Sequence, residues 1–305
     1  MSKVEILLAS YNGERYIAEQ IESILNQDCK DFTLHILDDC SADRTVEIVR
    51  GYVKRYPDKI SLSRNEKNLG SAGSFFKLLK SSKAEYVMFC DQDDVWLENK
   101  ISLSLEKMEG AAAPTLLHTD LTVTDENLRI KHPSMFKSQH LQSGAVTVRS
   151  LAVQNVVTGC TMMLNRELVN RLCAVALPDN IPVHDWWIAL YTACCGEIIF
   201  LDKATVYYRQ HGTNVCGARD MSDFRYIISR AKATERARLM LQYGYNQAEK
   251  LSELYGNALG EENRAFLSAY GELSNKPYME RLKFVVKNRV FKSGIIRKIG
   301  QLIFL

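Results

Sequence analysis

The chain has 305 residues, 46% hydrophobic and 25% charged, with 39 Lys/Arg against 36 Asp/Glu. Such a composition is ordinary for a soluble globular protein, long enough for one large α/β domain plus an appendage. The net charge of +3 is too balanced to argue for a nucleic-acid partner, and no window approaches the roughly 18 uninterrupted apolar residues of a membrane span.

The opening "MSKVEILLASYNG" lacks the features of a signal peptide, so a cytoplasmic protein is expected. None of the eight cysteines forms a C-x-x-C pair, the spacing a zinc ribbon or dithiol site would need. They are read as reduced, mostly buried thiols.

Residues 4–9 ("VEILLA") predict a short strand, followed by the loop "SYNGERY" and a helix with Ile17, Ile21, Ile24 and Leu25 at helical spacing. "FTLHILDD" predicts a second strand ending in Asp38 and Asp39. Asp43 then serves as an N-cap for a helix with Val46, Val49 and Val53 on one face. "KISLSRNE" is a third strand, "KNLGSAGSFFKLLKSS" a glycine loop entering a helix, and "EYVMFC" a fourth strand. Strand and helix alternate without hairpin signals, which predicts parallel strands with crossover helices.

The later pattern is less regular. "PTLLHTDLTVTD" and "EIIFLDKATVYYRQH" read as strands and "IALYTACC" as a helix. From about residue 222 the chain turns helical, and after Pro277 apolar residues interleave with seven Lys/Arg and one Glu. That tail is too short in its apolar runs to span a bilayer and reads as a basic amphipathic segment able to lie on a membrane surface.

Ligands bind beyond the carboxyl ends of strands in such sheets. Both acidic clusters, Asp38/Asp39 and Asp91/Asp93/Asp94, follow strands and can therefore share one cleft. Carboxylates at this spacing suit a hard divalent cation, Mg²⁺ or Mn²⁺, that stays open to a diphosphate. A solvated turn capping the next helix is the competing reading. The first loop carries a single glycine, Gly13, and so matches neither the dinucleotide nor the P-loop pattern. In "PVHDWWIAL", Asp185 reads either as a general base or as an N-cap, and Trp186 and Trp187 either as sugar-stacking faces or as core. In "VYYRQHGTN", His211 can complete a metal shell and Arg209 can meet phosphate, or both can be surface residues.

In order along residues 3–220, "ILLASYNGERYIAEQIESILNQ", "LDDCSADRT", "KNLGSAGSF", "CDQDDVWLENK", "TGCTMML", "HDWWIAL" and "YRQHGTN" resemble the inverting family 2 glycosyltransferases. "HDWW" and "YRQHGTNVCGAR", running to Arg219, are similar to the bacterial rhamnosyltransferases of rhamnan and O-antigen synthesis. The resemblance implies a GT-A fold: a Rossmann-like, mostly parallel α/β sheet with flanking helices, plus a helical C-terminal region. Residues 1–220 would form the catalytic domain, with 1–115 the nucleotide-sugar half and 116–220 the acceptor half. Residues 221–305 would be the helical region, with the basic tail from 278.

Ala9, Tyr11, Asp39, Asn68, Asp91 and Arg209 would then bind the nucleotide sugar. Asp93 and His211 would hold the metal, and Asp185 would be the catalytic base. Trp186, Trp187 and His184 would face the acceptor. The family commonly has Glu-Asp where this chain has His184–Asp185; the rhamnosyltransferase-like members share that change, and it leaves the role of His184 open. The implied partners are dTDP-rhamnose, a polyprenyl-linked glycan acceptor and, through the tail, the inner face of the cytoplasmic membrane. A homo-oligomer stays open. A UDP-hexose donor and a non-catalytic carbohydrate-binding protein are the alternatives.

Overall fold

A computed structural model describes residues 2–141, 146–175, 181, 183–212 and 230–305. The first four strands are β1 (Val4–Ser10), β2 (Phe32–Asp38), β3 (Ile60–Arg64) and β4 (Tyr86–Cys90). They are separated by α1 (Ile17–Leu25), α2 (Thr45–Arg55) and α3 (Gly70–Ser81). All pair in parallel, in the order β3-β2-β1-β4, as the alternation predicts. Ile6, Leu7, Leu8, Leu34, Ile36, Val87, Met88 and Phe89 are fully buried, the pattern of a sheet covered on both faces.

Then come β5 (Val95–Trp96), α4 (Lys100–Met108), β6 (Thr115–Thr124), β7 (Ile130–His132), α5 (Met135–Ser138) and α6 (Val148–Val153). β8 (Met162–Asn165), α7 (Arg166–Leu172), α8 (His184–Cys195) and β9 (Glu197–Arg209) follow. β8 lies antiparallel between β4 and β6, and β9 runs parallel to β6. The sequence reading missed β5 and β8 because each is too short for a period to register.

Two registers position the site. Ser10 pairs with Asp38 and Leu8 with Cys90, so the loops after β1, β2 and β4 leave the same edge of the sheet. β5 pairs antiparallel with β9, Val95 opposite Tyr207, which carries Asp93 and Asp94 alongside Arg209 and His211.

Two local expectations change. Asp43 stands one residue before the N-cap position of α2, which is Arg44. It instead accepts the N–H of Thr45 at 3.0 Å and that of Glu14 at 3.0 Å, tying two loops together. Of the expected apolar face on α2, only Val49 is fully buried. Val46 and Val53 line a surface cavity of about 380 Å³ with Leu62, because β3 is the last strand on that side.

The described chain divides into two compact units, one of residues 1–135, 157–185 and 197–218, the other of 136–156, 186–196 and 219–305. The sheet belongs to the first. The second contains α9 (Arg230–Tyr255), α10 (Glu261–Gly271), α11 (Tyr278–Asn288) and α12 (Ile295–Phe304). Its core is aromatic: Tyr245 and Tyr270 stack edge to face at 5.0 Å, and Tyr191 meets Tyr255 at 4.3 Å. A Cβ at Gly244 would lie 2.6 Å from the Ala152 carbonyl, so glycine is what lets α9 approach α6. The "YRQH" extension through Arg219, Cys216, the boundary at 220/221 and the start of the predicted helix lie outside the described residues.

Candidate active site

The loop after β1 is fastened to both neighbouring loops. Asn12 has φ 48°, its N–H donates to Ser41 Oγ at 2.9 Å, and the Gly13 N–H donates to Thr45 Oγ1 at 2.7 Å. Gln92, inside the acidic cluster, brackets Tyr11: its Oε1 accepts the Tyr11 N–H at 2.9 Å and its Nε2 donates to the Tyr11 carbonyl at 3.0 Å. A Cβ on Gly13 would stand 2.2 Å from Gln92 Oε1, so the lone glycine of this loop makes room for that amide. The sequence reading gave Gln92 no role; the glycine was its only signal. Tyr11 is half exposed, and Ala9 is half-buried at the end of β1, beside Leu37 of β2.

Asp39 is buried at the end of β2. Its carboxylate accepts Asn65 Nδ2 at 2.7 Å and the N–H groups of Leu69 and Gly70, both at 2.8 Å. It thus seats the N-terminus of α3, where a negative charge is favoured. Asn68 closes the same turn, donating to the Asp39 carbonyl at 3.0 Å and accepting the Gly70 N–H at 3.1 Å.

The cluster after β4 divides its labour. Asp94 is fully buried and its Oδ1 accepts the Arg209 N–H at 3.1 Å; it does not cap α4, whose N-cap is Asn99. Asp93 Oδ2 lies 2.8 Å from His211 Nε2. The His211 ring lies over Tyr16 at 4.9 Å. Arg209 is only 3% exposed, and its guanidinium is engaged within the protein. Nε donates to the Asp93 carbonyl at 2.9 Å, Nη1 to the Glu126 carbonyl at 2.6 Å and Nη2 to the Glu19 carboxylate, while the group covers the Tyr16 ring. Arg209 therefore braces the acidic loop from behind.

Burial and the neighbouring charges of Asp93 and Asp185 push the Asp91 carboxyl up to about 7. Burial, Asp93 and Asp91 raise Asp94 well above the usual carboxylate range. Asp185 reaches the same field although about ninety residues separate it from Asp91. Its Oδ2 accepts the Gly159 N–H at 3.0 Å. Asp185 lies in the first turn of α8.

His184, Trp186 and Trp187 are packed inward. His184 lies against Phe75 at 4.2 Å and Phe89 at 5.0 Å, and burial lowers its ring to about 3. Trp186 is 4% exposed with its indole N–H on the Leu151 carbonyl, and Trp187 is 0% exposed. Neither indole offers a face to a sugar here.

The donor set fits a hard divalent cation. Among the described residues, Asp91, Asp94 and Cys160 present ligand atoms all within 4.8 Å of one another. Burial and the two aspartates raise the Cys160 thiol well above its usual range, and a hard ion prefers the carboxylate oxygens to sulfur. Asp93 and His211, 17% and 9% exposed at their side chains, stand as a separate carboxylate–imidazole pair outside that group.

The family model described as Glycosyl transferase family 2 matches residues 5–173, over half of the chain. The chain belongs to that family. Among curated relatives, the dTDP-rhamnosyl transferase RfbG of Shigella flexneri is 29% identical over 224 residues, 69% of this chain and 74% of RfbG. Among solved structures, S. aureus TarS 1–349 in complex with UDP-GlcNAc aligns with TM-score 0.58 and 20% identity, covering 93% of this chain and 79% of that one. The mannosyltransferase PcManGT of Pyrobaculum calidifontis, in complex with GDP-Man and Mn2+, aligns with TM-score 0.57 and 15% identity over 94% and 79%. These neighbours share the GT-A glycosyltransferase fold expected from the motifs.

Proposed function

We propose that this glycosyltransferase moves L-rhamnose from dTDP-β-L-rhamnose to a hydroxyl of a lipid-linked bacterial surface glycan, with inversion. The observation carrying the chemistry is the shared electrostatic field of Asp91, Asp93 and Asp185 beside His211. The donor rests on the likeness to RfbG and on the "HDWW" and "YRQH" motifs.

Asp185, oriented by the Gly159 N–H, takes the proton of the acceptor hydroxyl as that oxygen attacks the anomeric carbon. The bond from that carbon to the diphosphate oxygen breaks, and the electron pair leaves with dTDP. Attack on the opposite face turns a β-linked donor into an α-linked rhamnoside. Asp93 and His211, with Asp91 beside them, would hold Mg²⁺ or Mn²⁺, which when bound supplies positive charge to the departing diphosphate. Ala9 and Tyr11 line the nucleoside pocket, and Asp39 accepts a pyrimidine N–H while seating α3 with Asn68. Arg209 acts through Asp93 rather than on phosphate. His184 packs on Phe75 and Phe89 in the core rather than facing the acceptor.

A UDP-hexose donor is the second reading, favoured by the TarS complex with UDP-GlcNAc. A thermal-shift screen with Mn²⁺ separates the two: dTDP-rhamnose should stabilise the protein more than UDP-glucose or UDP-GlcNAc. Stabilisation by a UDP-sugar alone would overturn the donor assignment.

No helix among the described residues is long and apolar enough to cross a membrane. The enzyme is proposed to work at the inner face of the cytoplasmic membrane, where a lipid-linked acceptor would be held.

A further inference from the structure

The last helix is built inside out. Ile295, Ile296, Ile299 and Ile303 fall within one face of α12, and they are 77%, 73%, 53% and 63% exposed. The residue turned inward is polar: Gln301 is 2% exposed. Its Nε2 donates to the Val290 carbonyl at 2.7 Å and its Oε1 accepts the Lys292 N–H at 2.9 Å. A helix that packs only for its own fold does the reverse, apolar face in and polar face out.

The polar contacts hold this orientation. Tyr278 Oη donates to the Leu302 carbonyl at 2.9 Å. The Ser293 N–H and Oγ both reach Gln154 Oε1, at 2.8 and 3.0 Å, just before the helix begins. The surroundings are strongly basic: residues 278–305 carry seven Lys/Arg against one acid, Glu280. Lys283, Lys287, Arg289 and Lys298 are exposed.

We propose that α12 is an interfacial membrane helix. Its four isoleucines enter the acyl boundary of an anionic lipid surface, while the exposed Lys283, Lys287, Arg289 and Lys298 meet the headgroups. The charge decides against a second copy of the chain as the occupant. A two-fold interface sets the same patch against itself, and this patch would bring two cationic surfaces together with almost no acid to meet them. The inference deepens the proposed membrane placement and rests on that reading of the acceptor, but not on the catalytic residues.

The test is co-sedimentation of the full chain with vesicles of phosphatidylcholine alone or mixed with phosphatidylglycerol, without donor or acceptor. The wild type should pellet with the anionic vesicles and be released by high salt. Ile296→Ser/Ile299→Ser, both on the exposed face and so compatible with folding, should lose at least about 10-fold in partitioning. Lys283→Glu/Lys287→Glu should lose binding to anionic vesicles. Equal sedimentation of wild type and isoleucine variant would overturn the proposal. So would a wild type that ignores anionic vesicles, or a dimer that the isoleucine variant disperses. Failure of the catalytic reading would appear instead as absent nucleotide release with vesicle binding intact.

Discussion

His211 Nε2 and Asp93 Oδ2 stand 2.8 Å apart although 118 residues separate them. The antiparallel pairing of β5 with β9 brings them together, and Arg209 secures the Asp93 backbone from the other side. Under the proposed function, this pair would offer an oxygen and a nitrogen ligand already held together. Asp93→Asn should therefore reduce nucleotide release by more than about 100-fold, beyond the cost typical of losing an outer-shell partner. His211→Ala should lose less and recover in part at high Mn²⁺. Full activity of Asp93→Asn would remove it from the metal site.

Asp185→Asn should separate chemistry from binding. The amide still accepts the Gly159 N–H but cannot take a proton. Turnover should fall by about 10²–10⁴-fold, while calorimetric affinity for dTDP stays near the wild-type value. Near-normal turnover would place the base elsewhere.

Much of this site was legible in the sequence, for definable reasons. The parallel half announced itself because buried strands alternated with helices of clear period, and strand ends carried acids. The pairing of Asp93 with His211 was implied by the family resemblance, since residue type alone left His211 as either a metal ligand or a surface residue. What the sequence concealed was direction. Arg209 can equally meet phosphate or brace a loop, and only the positions of Glu19, Glu126 and Tyr16 show that it braces here. Trp187 can equally stack on a sugar or fill a core, and the choice depends on α9, whose Tyr255 lies beside it. Gln92 and Gly159 act through local geometry that no spacing rule reports.

Arg209→Lys tests the brace. The ammonium keeps the charge but loses the planar fork that meets three partners at once. A loss of about 2–3 kcal/mol is expected from the broken charged hydrogen bonds, read as a lowered urea midpoint, with weaker binding of dTDP. If stability is unchanged while dTDP binding is lost, Arg209 contacts the diphosphate directly.

His118, buried on β6, is held down to about 3 by burial alone. Its folded value lies below the ordinary imidazole value of 6.5, so the unfolded chain takes up the proton first as pH falls. The stability it permits is complete above that value and is lost progressively between about 6.5 and 3. At pH ~5 the loss is about 2 kcal/mol. His118→Phe should flatten the fall in urea stability between neutral and mildly acidic pH. An unchanged slope would mean that other groups govern acid unfolding.

The most direct measurement of the central claim is release of dTDP from dTDP-β-L-rhamnose by the full chain, with Mn²⁺ and then with excess EDTA. The account predicts release with Mn²⁺ that EDTA abolishes and that Asp93→Asn and Asp185→Asn each lack. Undiminished release in EDTA, or equal release by both variants and the wild type, would contradict it.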